Sequence, residues 1–188
     1  MPKSLRSHLL IAGRRLRDPN FFQSVVLVLE HNQEGAMGVV LNCPTRNKVV
    51  EVLSAYVDLP DRGDLIHRGG PVELQALFVL HSLDVLRTDE NEVLPGLFLG
   101  AGPDDFRSIL DHLAEDNDQV RFRMFLGCAG WGPRQLDREL RRQDWMVLPA
   151  RLDHVFTSDV YSLWDRTVHE YQELNPAILG GISNPQWN

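Results

Sequence analysis

Val120–Leu140, VRFRMFLGCAGWGPRQLDREL, is the stretch that sets the fold. Val120, Phe122, Met124 and Leu126 alternate with Arg121, Arg123 and Phe125, the period of two expected of a strand with one mostly apolar face. Leu136 and Leu140 stand four apart among Arg134, Asp137, Arg138 and Arg141, as in a helix with one buried side. Between them, Gly127-Cys128-Ala129-Gly130-Trp131-Gly132-Pro133 holds three glycines and a proline. Glycine admits positive φ and close backbone approach, and proline suits a first helical turn, where no N–H is needed. The stretch predicts a strand, a Gly-rich corner and a helix, and such corners often carry chemistry.

Towards the N terminus, Ser24–His31 is β-branched and apolar on both faces, as a central strand would be. Ala36–Asn42 is its partner across the connection Asn32–Gly35. His8–Ala12 reads as a short strand, and Asp18-Pro19-Asn20 as a turn that Phe21, Phe22 or both anchor to the core. Val49, Val52, Leu53 and Tyr56 predict a short helix over Lys48–Tyr56. Leu65–Arg68 reads as a strand leading to a tight corner at Gly69-Gly70-Pro71. Leu77–Ser82, Val93-Leu94 and Leu97–Gly100 are further strands, with a polar loop over Arg87–Glu92. Pro103-Asp104-Asp105 opens a helix with the stripe Phe106, Ile109, Leu110 and Leu113, ending by Asp116-Asn117-Asp118.

On the C-terminal side, Asp144–Leu148 reads as a strand and Pro149–Phe156 as extended chain. Ser158 caps a last helix, Val160–Leu174, that packs through Leu163, Trp164, Val168 and Tyr171. The tail from Asn175 reads as irregular. Hairpin-joined strands interrupted by isolated helices belong to the α+β class. Without a repeat, linker or composition shift, the 188 residues read as one domain.

A net charge of −7, from 19 basic and 26 acidic residues, repels a phosphate backbone and argues against direct nucleic-acid binding. The longest apolar run is Val25–Leu29, too short to span a bilayer, and the polar start Met1-Pro2-Lys3-Ser4 opens no signal-peptide core. Two cysteines form no disulfide framework, so a reduced, cytoplasmic protein is expected. The seven histidines show no HExxH motif and no i, i+4 pair on a helix, and His169-Glu170 lacks a second histidine. No metal and no cofactor are expected.

Cys128 sits where helix N-terminal dipoles lower a thiol pKa, with His31, His67 and His81 as candidate bases and the N–H groups of Gly130–Gly132 as an oxyanion site. Against catalysis, Gly127 lies one before it and Gly130 two after, which is not the nucleophile-elbow spacing. Buried cysteine as a small hydrophobe is the simpler reading. With Arg134 alongside, the corner also suits a phosphate or carboxylate, although the glycines equally serve tight packing under Trp131. Asn20, Asn42 and Gly69-Gly70-Pro71 are backbone devices first. Functionally, they would share a cleft with Gly127–Gly132. The pairs His81-Ser82 and Glu30-His31 fall at strand ends, where hydrogen-bonded structural histidine is the commoner outcome.

Four separated segments together resemble the AlgH/YqgE family, the DUF179 or UPF0301 proteins. These are Leu9–Ala12 with Asp18–Phe21, Ser24–Leu27 through Glu30-His31 to Gly35–Gly38, Gly69–Val72 with Val79–His81, and Gly127 through Gln135-Leu136 to Trp145. The resemblance implies a single α+β domain with a bifurcated mixed sheet, part of it closed as a small β-barrel, and helices around it. It implies no established enzyme activity, and the family's regulatory name comes from an association with control of alginate production. The chain departs from the pattern at Gly13-Arg14-Arg15, Cys43 and Cys128. A cysteine where relatives carry an aromatic residue is poor support for a shared nucleophile.

The leading reading is a non-enzymatic binding module for an unknown protein partner or a small anionic ligand, possessing a regulatory role. Its binding residues would be Asn20, Asn42, Gly69, Gly70, His81, Gly130, Trp131 and Arg134. The rival reading is a thiol-dependent hydrolase using Cys128 with His81 or His31. A third is a DNA-binding transcription regulator, against which the acidic balance and the missing helix-turn-helix pattern count.

Overall fold

The stretch quoted above becomes the central strand of one mixed sheet. In the computed structural model, residues 4–100, 102–115 and 120–176 are described. The start at Met1-Pro2-Lys3, the helix end at Asp116-Asn117-Asp118 and most of the tail from Asn175 lie outside them. The strands are β1 His8–Ala12, β2 Val25–Asn32, β3 Gly35–Val40, β4 Pro44–Lys48, β5 Leu65–Arg68, β6 Val72–His81, β7 Glu92–Leu94, β8 Leu97–Gly100, β9 Phe122–Trp131 and β10 Trp145–Pro149. The helices are α1 Val49–Leu53, α2 Pro103–Ala114, α3 Gln135–Arg141, α4 Leu152–Val155 and α5 Leu163–Leu174. The main path runs β10-β1-β2-β3-β9-β6-β8-β7, and β4 and β5 branch from it.

The branch point is in β9. Along one edge, Phe122–Cys128 faces His81–Val72 of β6. The other edge is divided: His67 and Arg68 of β5 run parallel beside Phe125 and Leu126, and Ala36–Gly38 of β3 run antiparallel beside Trp131–Ala129. Gly127, at φ +70°, lies at the division. Gly69 stitches the fork together, donating its N–H to the Leu126 carbonyl at 2.8 Å and accepting from Val40 N–H at 2.8 Å. The sheet is therefore bifurcated, as the resemblance implied, and it curls into a half-barrel. Its free ends are drawn together where Ser7 Oγ donates to the Val93 carbonyl and the Arg6 guanidinium donates to the carbonyls of Glu90 and Glu92.

Both faces of the sheet are covered. Phe125 and Cys128 face the barrel interior with Leu27, Leu80, Leu97, Val155 and Leu163. On the outside, Met124 packs with Ile66, Ile109 and Leu113 beneath α1 and α2. Ala129 and Trp131 pack with Val26, Leu136 and Leu140 beneath α3. Helix α5 closes the interior through Leu163, and Trp164 Nε1 donates to the Ala12 carbonyl at 3.0 Å. No helix among the described residues is long and apolar enough to cross a membrane.

Several boundaries differ from the sequence reading. The Gly-rich corner does not end the strand: β9 runs on to Trp131, because Ala129 and Gly130 pair with β3. The turn is Gly132–Arg134, Pro133 precedes the helix, and Arg134 takes φ 58°. β4 went unseen because PTRNK has no apolar alternation and is held by pairing to β5. The extended chain expected over Pro149–Phe156 contains α4, too short to show a helical period. It is fixed by His154, whose Nδ1 accepts from Arg151 N–H and whose Nε2 lies 3.1 Å from Glu170. The last helix starts at Leu163 with Ser162, not Ser158, at its N-cap. Phe21 is the anchor of its turn, and Phe22 is exposed.

The fork leaves no room for side chains. A Cβ on Gly69 would stand 2.1 Å from the Gly127 carbonyl oxygen, and one on Gly70 2.2 Å from the Cys128 carbonyl carbon. Gly70→Ala is expected to destabilise the protein by about 3 kcal/mol or more in urea unfolding, since backbone atoms cannot give way. Gly130→Ala, where the nearest atom is 3.5 Å away, should stay within ~0.5 kcal/mol of the parent. Equal effects at the two positions would show that the fork is not the tight point.

Candidate functional site

The β4–β5 ribbon stands beside the fork with a cleft on each side. The first cleft, of about 290 Å³, is lined by Asn20, Val40, Cys43, Arg68, Gly70, Pro71 and Leu74. Asn20 is brought there by the turn at Asp18, whose Oδ1 accepts from Asn20 N–H at 2.9 Å. Gly70 is held against Cys128 by the packing just described. Arg68 is exposed while its strand neighbour His67 is buried, because alternation along β5 turns adjacent residues to opposite faces. Three of the residues expected in a shared cleft, Asn20, Gly70 and Pro71, thus meet at one opening.

The other expected binding residues lie elsewhere. Asn42 is a backbone brace: its Oδ1 accepts from Val25 N–H at 2.9 Å and its Nδ2 donates to the Gln23 carbonyl at 2.8 Å. Gly69 is spent on the fork. Gly130 packs on Val72. Arg134 is exposed at the start of α3, and the nearby Gly132 N–H is already given to Gln135 Oε1 at 3.1 Å.

Trp131 is buried, and its Nε1 donates to Glu139 Oε2 at 2.9 Å; Trp145 Nε1 donates to the same oxygen at 2.8 Å. Phe21 stacks on Trp131 at 6.1 Å and meets Trp145 edge-on at 5.5 Å. One carboxylate and three aromatic rings thereby hold down a seven-residue helix, far short of the ~12–15 residues a helix needs to persist alone. Here the glycines and Trp131 serve packing.

Cys128, His81 and His31, the residues of the thiol-hydrolase reading, are not brought together. Cys128 is buried in β9, and burial first, then the charge of Glu73, pushes its thiol pKa up. A raised pKa disfavours the thiolate that a nucleophile needs. His81 pairs with Phe122, six positions along the same strand, roughly 20 Å away at ~3.3 Å per residue. Its ring is buried, its Nδ1 accepts from Leu83 N–H at 3.2 Å, and burial pushes its pKa down to about 4 against the opposing charge of Asp105. His31 Nδ1 accepts from Leu5 N–H at 3.0 Å. Both histidines thus accept backbone hydrogen bonds through Nδ1.

The second cleft, also about 290 Å³, was not foreseen as a site. Asp64, Leu65, His67, Phe122, Arg123, Ser158 and Tyr161 are among its lining residues. Arg123 lies on the barrel-facing row of β9, two before Phe125, and its Nη2 donates to the Thr157 carbonyl at 2.7 Å. His67 is buried with its ring edge against Phe125, and its Nδ1–H is given to the Leu41 carbonyl at 3.0 Å. Burial and then the charge of Arg123 push the His67 pKa down to about 4. Burial likewise lowers Arg123 to about 10 and raises Asp64. The sequence signal was an arginine on the core-facing row of a central strand. Among the described residues, no group of three or more histidine, cysteine or acidic side chains could hold a metal.

The fold and this geometry can be set beside known proteins. The family model DUF179, AlgH-like, matches residues 9–174. A UPF0301 protein of Myxococcus xanthus is 38% identical over 180 residues, 94% of this chain and 96% of its own length. A UPF0301 protein of Chlorobaculum tepidum is 36% identical over 160 residues, 85% of this chain and 83% of its own. The solution structure of the AlgH protein from Pseudomonas aeruginosa superposes with a TM-score of 0.72 at 29% identity, covering 98% of this chain and 97% of that one. The crystal structure of a Corynebacterium diphtheriae protein has the same fold, with a TM-score of 0.72 at 24% identity over 88% of this chain and 86% of that one.

The two buried imidazoles make stability depend on pH. His67 and His81 have pKa values of about 4 against an ordinary 6.5, so the folded state holds them neutral while the unfolded chain protonates them. Their contribution is complete above about pH 6.5 and is lost as pH falls towards 4, on the order of 3 kcal/mol per ring. Ring proton shifts should therefore stay those of neutral imidazole down to about pH 5, while urea midpoints fall over the same interval. Rings that titrate near the ordinary histidine value would refute this.

Proposed function

The chain belongs to the AlgH-like family DUF179, and on that premise we propose that it is a non-enzymatic binding module. It acts in the cytoplasm on a small anionic ligand or a protein partner presented at the cleft of Asn20, Arg68 and Gly70. In this reading a regulatory effect on gene expression runs through what the module binds, without membrane or duplex DNA contact. The observation that carries the proposal is the packing of Gly70 onto Cys128. It puts open backbone and an exposed guanidinium at the cleft, and it shuts the only thiol of the fork beneath them. A hydrolase would need that thiol accessible and within hydrogen-bond reach of a histidine. The net charge of −7 weighs against the DNA-binding reading.

Two measurements test it. Titration of inorganic phosphate, followed by backbone amide NMR, should move Asn20, Cys43 and Gly70 saturably. Arg68→Gln should weaken that response about tenfold, the loss of one charge-assisted contact of ~1.4 kcal/mol. Unmoved amides would remove the small-anion form of the proposal. Alkylation is the second: Cys43, partly exposed, should react in the folded protein, whereas Cys128 should react only with a midpoint above the ~8.5 of a free thiol. A Cys128 midpoint well below that value, abolished by a histidine substitution, would restore the enzyme reading.

A further inference from the structure

The second cleft holds an arrangement that the fold does not need. Arg123 is a cation on the inward row of a central strand, yet no ion pair is made to it among the described residues. Nη2 is engaged by Thr157, while Nη1 is shut away from solvent without a protein partner. A buried N–H left unpaired costs ~1–3 kcal/mol, and more on a charged group. A core position that only had to be filled would be better served by an apolar side chain of similar volume. Asp64 lines the same cleft, with the Arg62 Nε 3.8 Å from its Oδ2. His67 completes the set. Because its Nδ1–H is given to the Leu41 carbonyl, Nε2 is left as a hydrogen-bond acceptor, and no protein group donates to it among the described residues.

The charges specify the ligand. Arg123 calls for an anionic group, but Asp64 on the same lining repels a simple anion and calls for a cation. His67 Nε2 calls for a donor as well. Phe122 and the exposed Tyr161 offer aromatic surface beside these polar groups. The volume of about 290 Å³ is at the small end of ligand sites, enough for a single compact molecule.

We propose that this cleft binds a free amino acid or a ligand of that zwitterionic class. Its carboxylate lies against Arg123, its ammonium between Asp64 and His67 Nε2, and its side chain along Phe122 and Tyr161. The site is separate from the cleft of Asn20 and Arg68, and neither depends on the other being occupied.

The test uses the full chain and the proteinogenic L-amino acids, added one at a time at millimolar concentration with thermal unfolding as the screen. At least one should raise the Tm, and calorimetry on that compound gives its Kd. Its des-amino carboxylate and its decarboxylated amine should each bind at least ~10-fold more weakly, the equivalent of one lost charged contact. Arg123→Lys keeps the buried charge but loses the planar fork, and Asp64→Asn removes a partly exposed charge. Each should weaken binding while leaving the circular dichroism spectrum of the parent. Should either variant fold poorly, Tyr161→Ala at its exposed position provides the same readout. No stabilising amino acid, a des-amino analogue that binds as tightly as the zwitterion, or affinity unchanged in the folded variants would each overturn the proposal.

Discussion

β9 has two edges and three partners, so its backbone N–H and C=O groups are satisfied only if one edge is shared between β5 and β3. Parallel and antiparallel ladders space their hydrogen bonds differently, and the two cannot meet on one edge without a break. Gly127 supplies the break by leaving the extended region, and Gly69 fills it by bonding to both sides. The carbon-free faces of Gly69 and Gly70 then let two backbones touch where any side chain would hold them apart. That approach brings β9 into register with β5 on one side of the break and with β3 on the other.

The clefts are a by-product of the same division. Where β5 leaves the main sheet to pair with β4, the two strands form a ribbon with open space on either side. Alternation then assigns neighbouring residues to opposite openings: Cys43 and Arg68 line one, Pro44 and His67 the other. The apolar interior beneath is continuous with Phe125 and Leu41. Polar groups are thus concentrated at the fork's mouth and excluded from its floor. The same division explains why the thiol in the floor, Cys128, is packed away from solvent with its pKa raised by burial.

Much of this was readable in the residues. The apolar runs of β1, β2 and β3 declared themselves, as did the stripe of α2, because each buries a whole face and so carries its period in the sequence. β4 did not, since an edge strand held by backbone pairing needs no apolar alternation. Gly127–Trp131 read as part of a corner because glycines are equally consistent with a turn and with a strand that others approach closely, and only Gly132 and Pro133 of that run belong to the turn. Only the tertiary partner distinguishes the two. Asn20 and Gly70 were recognised as candidates and do share an opening. Arg123 was passed over because a charge in alternation with Phe122 and Met124 reads as solvent-facing, whereas here both faces of the strand are covered. Trp131 reads in the sequence as a ligand residue, whereas its indole N–H is given to Glu139, eight residues on along the next helix.

The bond from Trp164 to the Ala12 carbonyl also sets when the molecule can be completed. Its two ends are separated by 152 positions, so β1 is fastened by a helix, α5, that is made long after it. On a ribosome, β3, β5 and β6 all emerge before the strand that joins them. They must wait with open edges and exposed valines and leucines until β9 arrives. Pairings this distant in sequence are slow to form, and unpaired edges invite association with other chains. Synthesis of this protein is therefore a race between the emergence of its middle and the sticking of its beginning, which makes the nascent chain, more than the finished fold, the form most exposed to aggregation.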